Sequence, residues 1–153
     1  MQVKANRFDR LWDACGAAVL KAVNRVGASG WYILGQEVKS FERELALYCG
    51  AKYAVGCGNG MDALEISLRA LGLQAGQKVL TTPLSAFATT LAIVRAGGTP
   101  VFCDVDEYGL LDLDQADACL QENPEIRFLV PVHLYGHAMD FARLKSLVED
   151  HKL

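Results

Sequence analysis

The sequence has no apolar run near the ~20 residues that a membrane-spanning helix needs, so no helical span is expected. It has no CxxC pair. Its five cysteines, Cys15, Cys49, Cys57, Cys103 and Cys119, are odd in number and scattered, which excludes a disulfide frame and a cysteine-rich zinc centre. They read as small buried side chains of a protein in a reducing cytosol. Neither charge sign dominates: 15 Lys+Arg stand against 18 Asp+Glu, a net charge of −3. With no basic stripe there is no nucleic-acid footprint. Lys4, Arg7, Asp9 and Arg10 near the N-terminus precede no apolar stretch of the secretory kind, so a standard signal peptide is not expected. Internal repeats, low-complexity tracts and linkers are also missing.

What is present is a chain of 153 residues, 52% hydrophobic and 22% charged, enough for one ordinary core and far from a disordered composition. The mean hydropathy of +0.16 is high for a free-standing domain of this size. Either the core is unusually rich or apolar faces expect a partner or more chain.

Apolar residues recur every three or four positions over 7–26 and again over 36–49, predicting two amphipathic helices closed by Gly27 to Gly30 and by Gly50. From there strands and helices alternate. Strands are predicted at 53–57, 78–82, 100–104 and 127–133. Helices are predicted at 61–71, 86–96, 112–121 and 140–152, the third capped by Asp112. Leu71 and Phe141 are expected to face inward. The alternation implies an α/β/α sandwich with a mainly parallel sheet, preceded by two helices. The sequence stops just after a helix, where another strand is due, and reads as cut.

Four segments could carry chemistry. Gly56-Cys-Gly-Asn-Gly60 joins a strand to the helix opened by Met61. Free N–H groups at a helix start attract anions, and glycine lets a phosphate come close to the backbone. The segment is a phosphate cradle or merely a tight turn. Its GxGxG spacing departs from the GxGxxG of dinucleotide folds. Asp62 should point away from a bound phosphate. In the second segment, 81–90, Phe87 could stack on a flat ring or could be the first core residue of its helix. The third, Pro131-Val-His-Leu-Tyr-Gly-His137, offers His133, Tyr135 and His137 for acid–base work or as ordinary loop residues; it does not have the helical HExxH form of a metal site. The fourth is Gly30-Trp-Tyr-Ile-Leu-Gly35, whose Trp31 and Tyr32 suit a pocket rim or a subunit contact.

Taken in order, the run Gly35-x-Glu-Val-x-x-Phe41-Glu42, Ala54-Val-Gly-Cys-Gly-Asn-Gly-Met-Asp-Ala-Leu64, Leu71-Gly-Leu-x-x-Gly76-x-x-Val79, Ser85-Ala-Phe-Ala-Thr89, Gly98-Thr-Pro-Val-Phe-Cys-Asp104 and Pro131-Val-His-Leu-Tyr-Gly136 resembles the DegT/StrS family of sugar aminotransferases, fold-type I enzymes that use pyridoxal 5'-phosphate. The resemblance runs from about Trp31 to the last residue. It implies that Gly60 and Met61 hold the cofactor phosphate through backbone N–H groups. Met61 stands where many members have Thr, so a hydroxyl contact is lost. It implies that Phe87 stacks on the pyridine ring and that Trp31 and Tyr32 lie near the sugar entrance. His137 stands where many members have Gln.

The resemblance further implies a homodimer in the cytoplasm. It would move an amino group from an amino acid, commonly glutamate, to a nucleotide-linked keto sugar, for polysaccharide or glycosylated-metabolite synthesis. The family's Schiff-base lysine and its acid paired with the pyridine nitrogen would both lie beyond Leu153. No catalytic residue is therefore assigned within the sequence, and the chain alone is expected to be inactive. Residues 1–34 would form an N-terminal helix and aromatic loop, and residues 35–153 part of the cofactor-binding domain. Two other readings stand beside this one: a non-catalytic binding or dimerisation module of the same fold, and a nucleotide-binding α/β domain using Gly56 to Gly60. No metal, nucleic acid or membrane partner is expected.

Overall fold

The structure, a computed structural model, describes residues 7–153. Residues 1–6, part of the stretch read as lacking a secretory signal, lie outside them. The chain divides into two compact units, Met1–Gly56 and Cys57–Leu153.

The first unit holds α1 (Phe8–Ser29) and α2 (Gln36–Tyr48). α1 runs through Gly27, where the sequence predicts its end. A glycine inside a helix costs only about 1 kcal/mol against alanine, and the left-handed stop is taken instead by Gly30 at φ 67°. α2 ends as expected, with Gly50 left-handed at φ 64° and Ala51 N–H donating to Ala46 O at 2.9 Å. Arg25 bridges to Glu37 through two hydrogen bonds of 2.7 and 2.9 Å. Ala46 is the one buried apolar side chain described in this unit apart from glycine, while Phe8, Leu11, Trp12, Phe41 and Tyr48 are exposed.

The strand predicted at 53–57 does not form. Tyr53 and Val55 are exposed, and residues 53–57 make no backbone–backbone hydrogen bond among the described residues. An apolar run becomes a strand only when a neighbour completes its ladder.

The second unit is built on a parallel sheet of β1 (Lys78–Thr81), β2 (Thr99–Phe102) and β3 (Phe128–Leu129) in the order β2-β1-β3. The helices are α3 (Gly60–Ala70), α4 (Phe87–Arg95), α5 (Leu113–Glu122) and α6 (Phe141–His151). Alternation along the central strand separates two cores. Val79 packs with Leu68, Leu73, Ile93, Ala96 and Val130, on the side of α3 and α4. Leu80 packs with Leu111, Ala116, Leu120, Ile126 and Leu147, on the side of α5 and α6. The expected α/β/α layering is therefore present.

β3 is shorter than its predicted seven-residue run. Val130 N–H still donates to Leu80 O at 2.9 Å, while Pro131 follows at a position whose N–H would face the free edge of this edge strand, where proline is tolerated. Asp112 caps α5 as expected, accepting from Asp114 N and Gln115 N, and Asp140 caps α6 in the same way. Leu71 and Phe141, predicted to face inward, are exposed. Leu71 is already the C-cap of α3, and Phe141 opens α6, so neither sits on a full turn of packed helix. Cys103 is buried as expected, whereas Cys49 and Cys57 are exposed because both sit at or beyond helix ends.

Candidate active site: a helix start and a sheet edge

The start of α3 is built by Asn59. Its backbone is extended, and its side-chain oxygen accepts from Asp62 N at 3.0 Å while its carbonyl accepts from Ala63 N at 3.1 Å. One of the orphan donors of the helix start, Asp62 N, is thereby satisfied, and the Ala63 bond is the first of the regular helix. The N–H groups of Gly60 and Met61 find no acceptor among the described residues. A Cβ placed on Gly60 would meet nothing within 4 Å. The glycine there avoids no clash with the protein. An 11-residue helix adds its dipole to that point. These features fit an anionic oxygen group such as a phosphate.

Asp62 does not point away. Its carboxylate folds back and accepts from Asn59 Nδ2 at 2.9 Å, which holds the capping side chain in place. The favourable field at the helix start and this local hydrogen bond outweigh the expected avoidance. Gly58 makes the fold-back possible, since a Cβ there would lie 3.0 Å from Asp62 Oδ2.

β1 and β3 run parallel and are paired, so the segments that follow them lie along one edge of the sheet, the edge where open α/β folds bind ligands. After β1, Thr81 and Thr82 are buried; Thr81 Oγ1 donates to Val130 O at 2.8 Å, which ties the ends of the two strands together. Ser85 and Thr89 hydroxyls bond at 2.7 Å and brace the turn before α4. Phe87 is the first residue of α4 and is 74% exposed, which removes its reading as a core residue. Its ring is free to cover a planar ligand.

After β3, His133 Nδ1 accepts from Met139 N at 3.2 Å, so the neutral ring carries its proton on Nε2. The His133 ring lies 5.3 Å from that of Phe141, while the His137 ring meets Tyr108 edge-on at 5.7 Å. The two histidines thus have separate partners. Between them Tyr135 adopts φ 55° and is fully exposed, an uncommon conformation for a side chain of that size.

Trp31 and Tyr32 belong to the first unit and are both exposed. Lys39 Nζ lies 5.2 Å from the Trp31 ring, and Gly35 is pressed against the loop so that a Cβ would reach 2.9 Å from Trp31 O. The aromatic pair is therefore held by its own loop.

Sequence reading missed Asn59 and Glu42. The Asn-x-x-Asp spacing is a capping signature and was legible. Glu42, whose carboxylate accepts from Gly56 N at 2.7 Å, carries no local signal. An apolar cavity of about 500 Å³ lies elsewhere, at the free edge of β3 between α3 and α6, and includes none of these residues. Among the described residues no helix is long and apolar enough to cross a membrane.

Known proteins carry the same architecture. The model of the DegT/DnrJ/EryC1/StrS aminotransferase family matches residues 14–153. A pleiotropic regulatory protein of Geobacillus stearothermophilus is 38% identical over 88% of the chain and 36% of its own length. The dTDP-3-amino-3,4,6-trideoxy-alpha-D-glucose transaminase of Micromonospora megalomicea subsp. nigra is 42% identical over 87% of the chain and 35% of its own length. The crystal structure of ntda from Bacillus subtilis with bound cofactor PMP superposes with a TM-score of 0.91 at 29% identity, over 99% of the chain and 35% of that protein. The chain thus spans about a third of the length of these relatives. With the ordered motifs, the parallel sheet and the open helix start all in agreement, the chain belongs to the DegT/DnrJ/EryC1/StrS aminotransferase family.

Proposed function

We propose that this chain is the N-terminal part of a pyridoxal-phosphate-dependent aminotransferase that moves an amino group from an amino acid, glutamate foremost, to a nucleotide-linked keto sugar. The observation that carries the reading is the start of α3, where the N–H groups of Gly60 and Met61 have no acceptor among the described residues. In this reading they bind the phosphate oxygens. Phe87 covers one face of the ring, which its exposure at the sheet edge allows. Trp31 and Tyr32 line the sugar entrance. When bound, the cofactor supplies the electron sink for moving nitrogen between an amino acid and a carbonyl compound.

This chain's residues then bind and orient. The lysine that anchors the cofactor and shuttles protons, and the acid that pairs with the ring nitrogen, come from the rest of the enzyme. The 153 residues alone do not transaminate. Residues 1–34 form the arm carrying the aromatic loop, and residues 35–153 part of the cofactor-binding domain. The whole enzyme is a cytoplasmic homodimer that feeds amino-sugar and polysaccharide synthesis.

The test is an assay of the longer parent protein with pyridoxal phosphate, glutamate and a nucleotide-linked 3-keto sugar, following 2-oxoglutarate and amino sugar together. Equal formation of both, lost when the cofactor is removed, supports the reading. A parent that binds the sugar without forming either product contradicts it and favours the non-catalytic module.

A further inference from the structure

The run Ser85-Ala-Phe-Ala-Thr89 has its hydroxyls out of place for an ordinary helix start. α4 begins at Phe87, so its N-cap is Ala86, which has no side-chain acceptor and makes no cap bond. Ser85, a residue suited to the cap, stands one position too early. Thr89 stands inside the first turn, where a β-branched hydroxyl side chain adds little to helix stability. Neither residue is explained by its own position.

One contact explains both. The Ser85 and Thr89 hydroxyls bond at 2.7 Å. Thr89 is 7% exposed and lies on the buried face of α4 with Ala92 and Ile93. Its side chain is a fixed point of the core, and the bond ties the residue before the cap to it. Thr89 N–H donates to Ala86 O at 3.0 Å, so the backbone closes the same turn. Phe87 stands between the two hydroxyl residues. Its ring is exposed, and no other ring or cation packs on it among the described residues. The direction of such a side chain is set chiefly by its backbone. The first turn of a helix without a cap frays, and Phe87 is in that turn.

We infer that Ser85 and Thr89 are a positioning pair for Phe87. Their bond replaces the missing cap of α4 and holds the Phe87 ring in one orientation at the edge of the sheet. Every group involved belongs to the unit Cys57–Leu153. The inference rests on the proposed function, since it concerns the residue that covers the cofactor ring there. Both hydroxyls act through Phe87 and need no contact with the ligand. Without their bond the first turn opens and the ring samples further rotamers. Stacking on a planar ligand must then first restore one of them, and affinity falls.

The experiment uses this chain, isotope-labelled, with two readouts. Without ligand, side-chain couplings report the Phe87 rotamer. With 4-deoxypyridoxine 5'-phosphate as the probe, the upfield ring-current shift of the probe's ring proton reports stacking, and titration gives the dissociation constant. The probe has the phosphate and the ring but no aldehyde, so it cannot attach to surface lysines. Ser85→Ala and Thr89→Val should each average the Phe87 rotamers and weaken binding about threefold, part of the worth of one aromatic contact. Ser85→Thr keeps a hydroxyl at that position and should match the unaltered chain. Phe87→Leu should weaken binding about fivefold, the scale of the whole aromatic contact. In that background Ser85→Ala should add nothing, whereas a general loss of stability would add to any background. Amides of Leu80 and Ile93 report whether the unit is still folded in each variant.

An unchanged Phe87 rotamer in Ser85→Ala and Thr89→Val overturns the inference and leaves the proposed function standing. So does a Ser85→Ala effect of equal size in the Phe87→Leu background. A probe that does not bind the unaltered chain, or binds without a ring-current shift, contradicts the proposed function, and the inference falls with it even where the rotamer follows the pair.

Discussion

The two units carry the same kind of sequence pattern and reach different ends. In the unit of residues 57–153, apolar periodicity turns into burial: Val79, Leu80, Ala92, Ile93, Ala116 and Ile126 are 0% exposed. In the unit of residues 7–56, α1 and α2 are just as amphipathic, yet Phe8, Leu11, Trp12, Val23 and Phe41 remain exposed. Periodicity specifies which face of a helix is apolar; only a packed neighbour makes that face stabilising. The high mean hydropathy of the sequence therefore reflects uncovered helix faces in the first unit as much as a rich core in the second.

The sharpest break of this comparison is a pair of truncations measured by urea unfolding of the chain. Leu80→Ala removes a side chain fully enclosed between β1, α5 and α6, and should cost about 2–5 kcal/mol. Leu20→Ala on α1, at 54% exposure, should change stability by less than about 0.5 kcal/mol. Equal losses would mean that α1 is packed as tightly as the sheet.

The thiols extend the contrast. Burial pushes the Cys103 thiol up to about 11, leaving little thiolate at neutral pH. Cys49 and Cys57 are exposed. A chromogenic disulfide reagent should modify those two at least tenfold faster than Cys103 in the native chain, with the difference vanishing in denaturant.

Smaller effects sharpen the picture at helix ends. Asp112→Ala should cost about 1 kcal/mol, because Asp114 N and Gln115 N lose their acceptor. α1, whose Arg7 makes no side-chain cap bond, has no such contribution to lose. The smallest expected effect is the pH response of the same cap. Hydrogen bonds from the Gln115 backbone and side chain hold the Asp112 carboxyl below the usual carboxylate range. Its folded pKa is depressed, so its contribution is complete above the ordinary value near 4 and is lost as pH falls through the lowered one. Acid unfolding curves of Asp112→Asn and the unaltered chain should converge at the acid end and separate above about pH 4.

Much of this was legible in the sequence. Alternation of strands and helices predicted the parallel sheet, and Gly50 and Asp112 marked helix ends through their own backbone or side-chain chemistry. What was illegible depended on neighbours. The segment 53–57 has the composition of a strand, but pairing is a property of two segments. β3 likewise pairs over fewer residues than its apolar run, because the length of a ladder is set by the partner strand as well. At the candidate site, motif order pointed to Gly60, Met61 and Phe87, whereas the bond from Gly56 to Glu42 came from geometry.

The most direct test of the central claim is an amide-shift titration of the chain with 4-deoxypyridoxine 5'-phosphate and, in parallel, with 4-deoxypyridoxine lacking the phosphate. A phosphate cradle at the start of α3 predicts saturable shifts at Gly60 and Met61 with the first compound and almost none with the second. Equal shifts with both, or shifts confined to other residues, would contradict it.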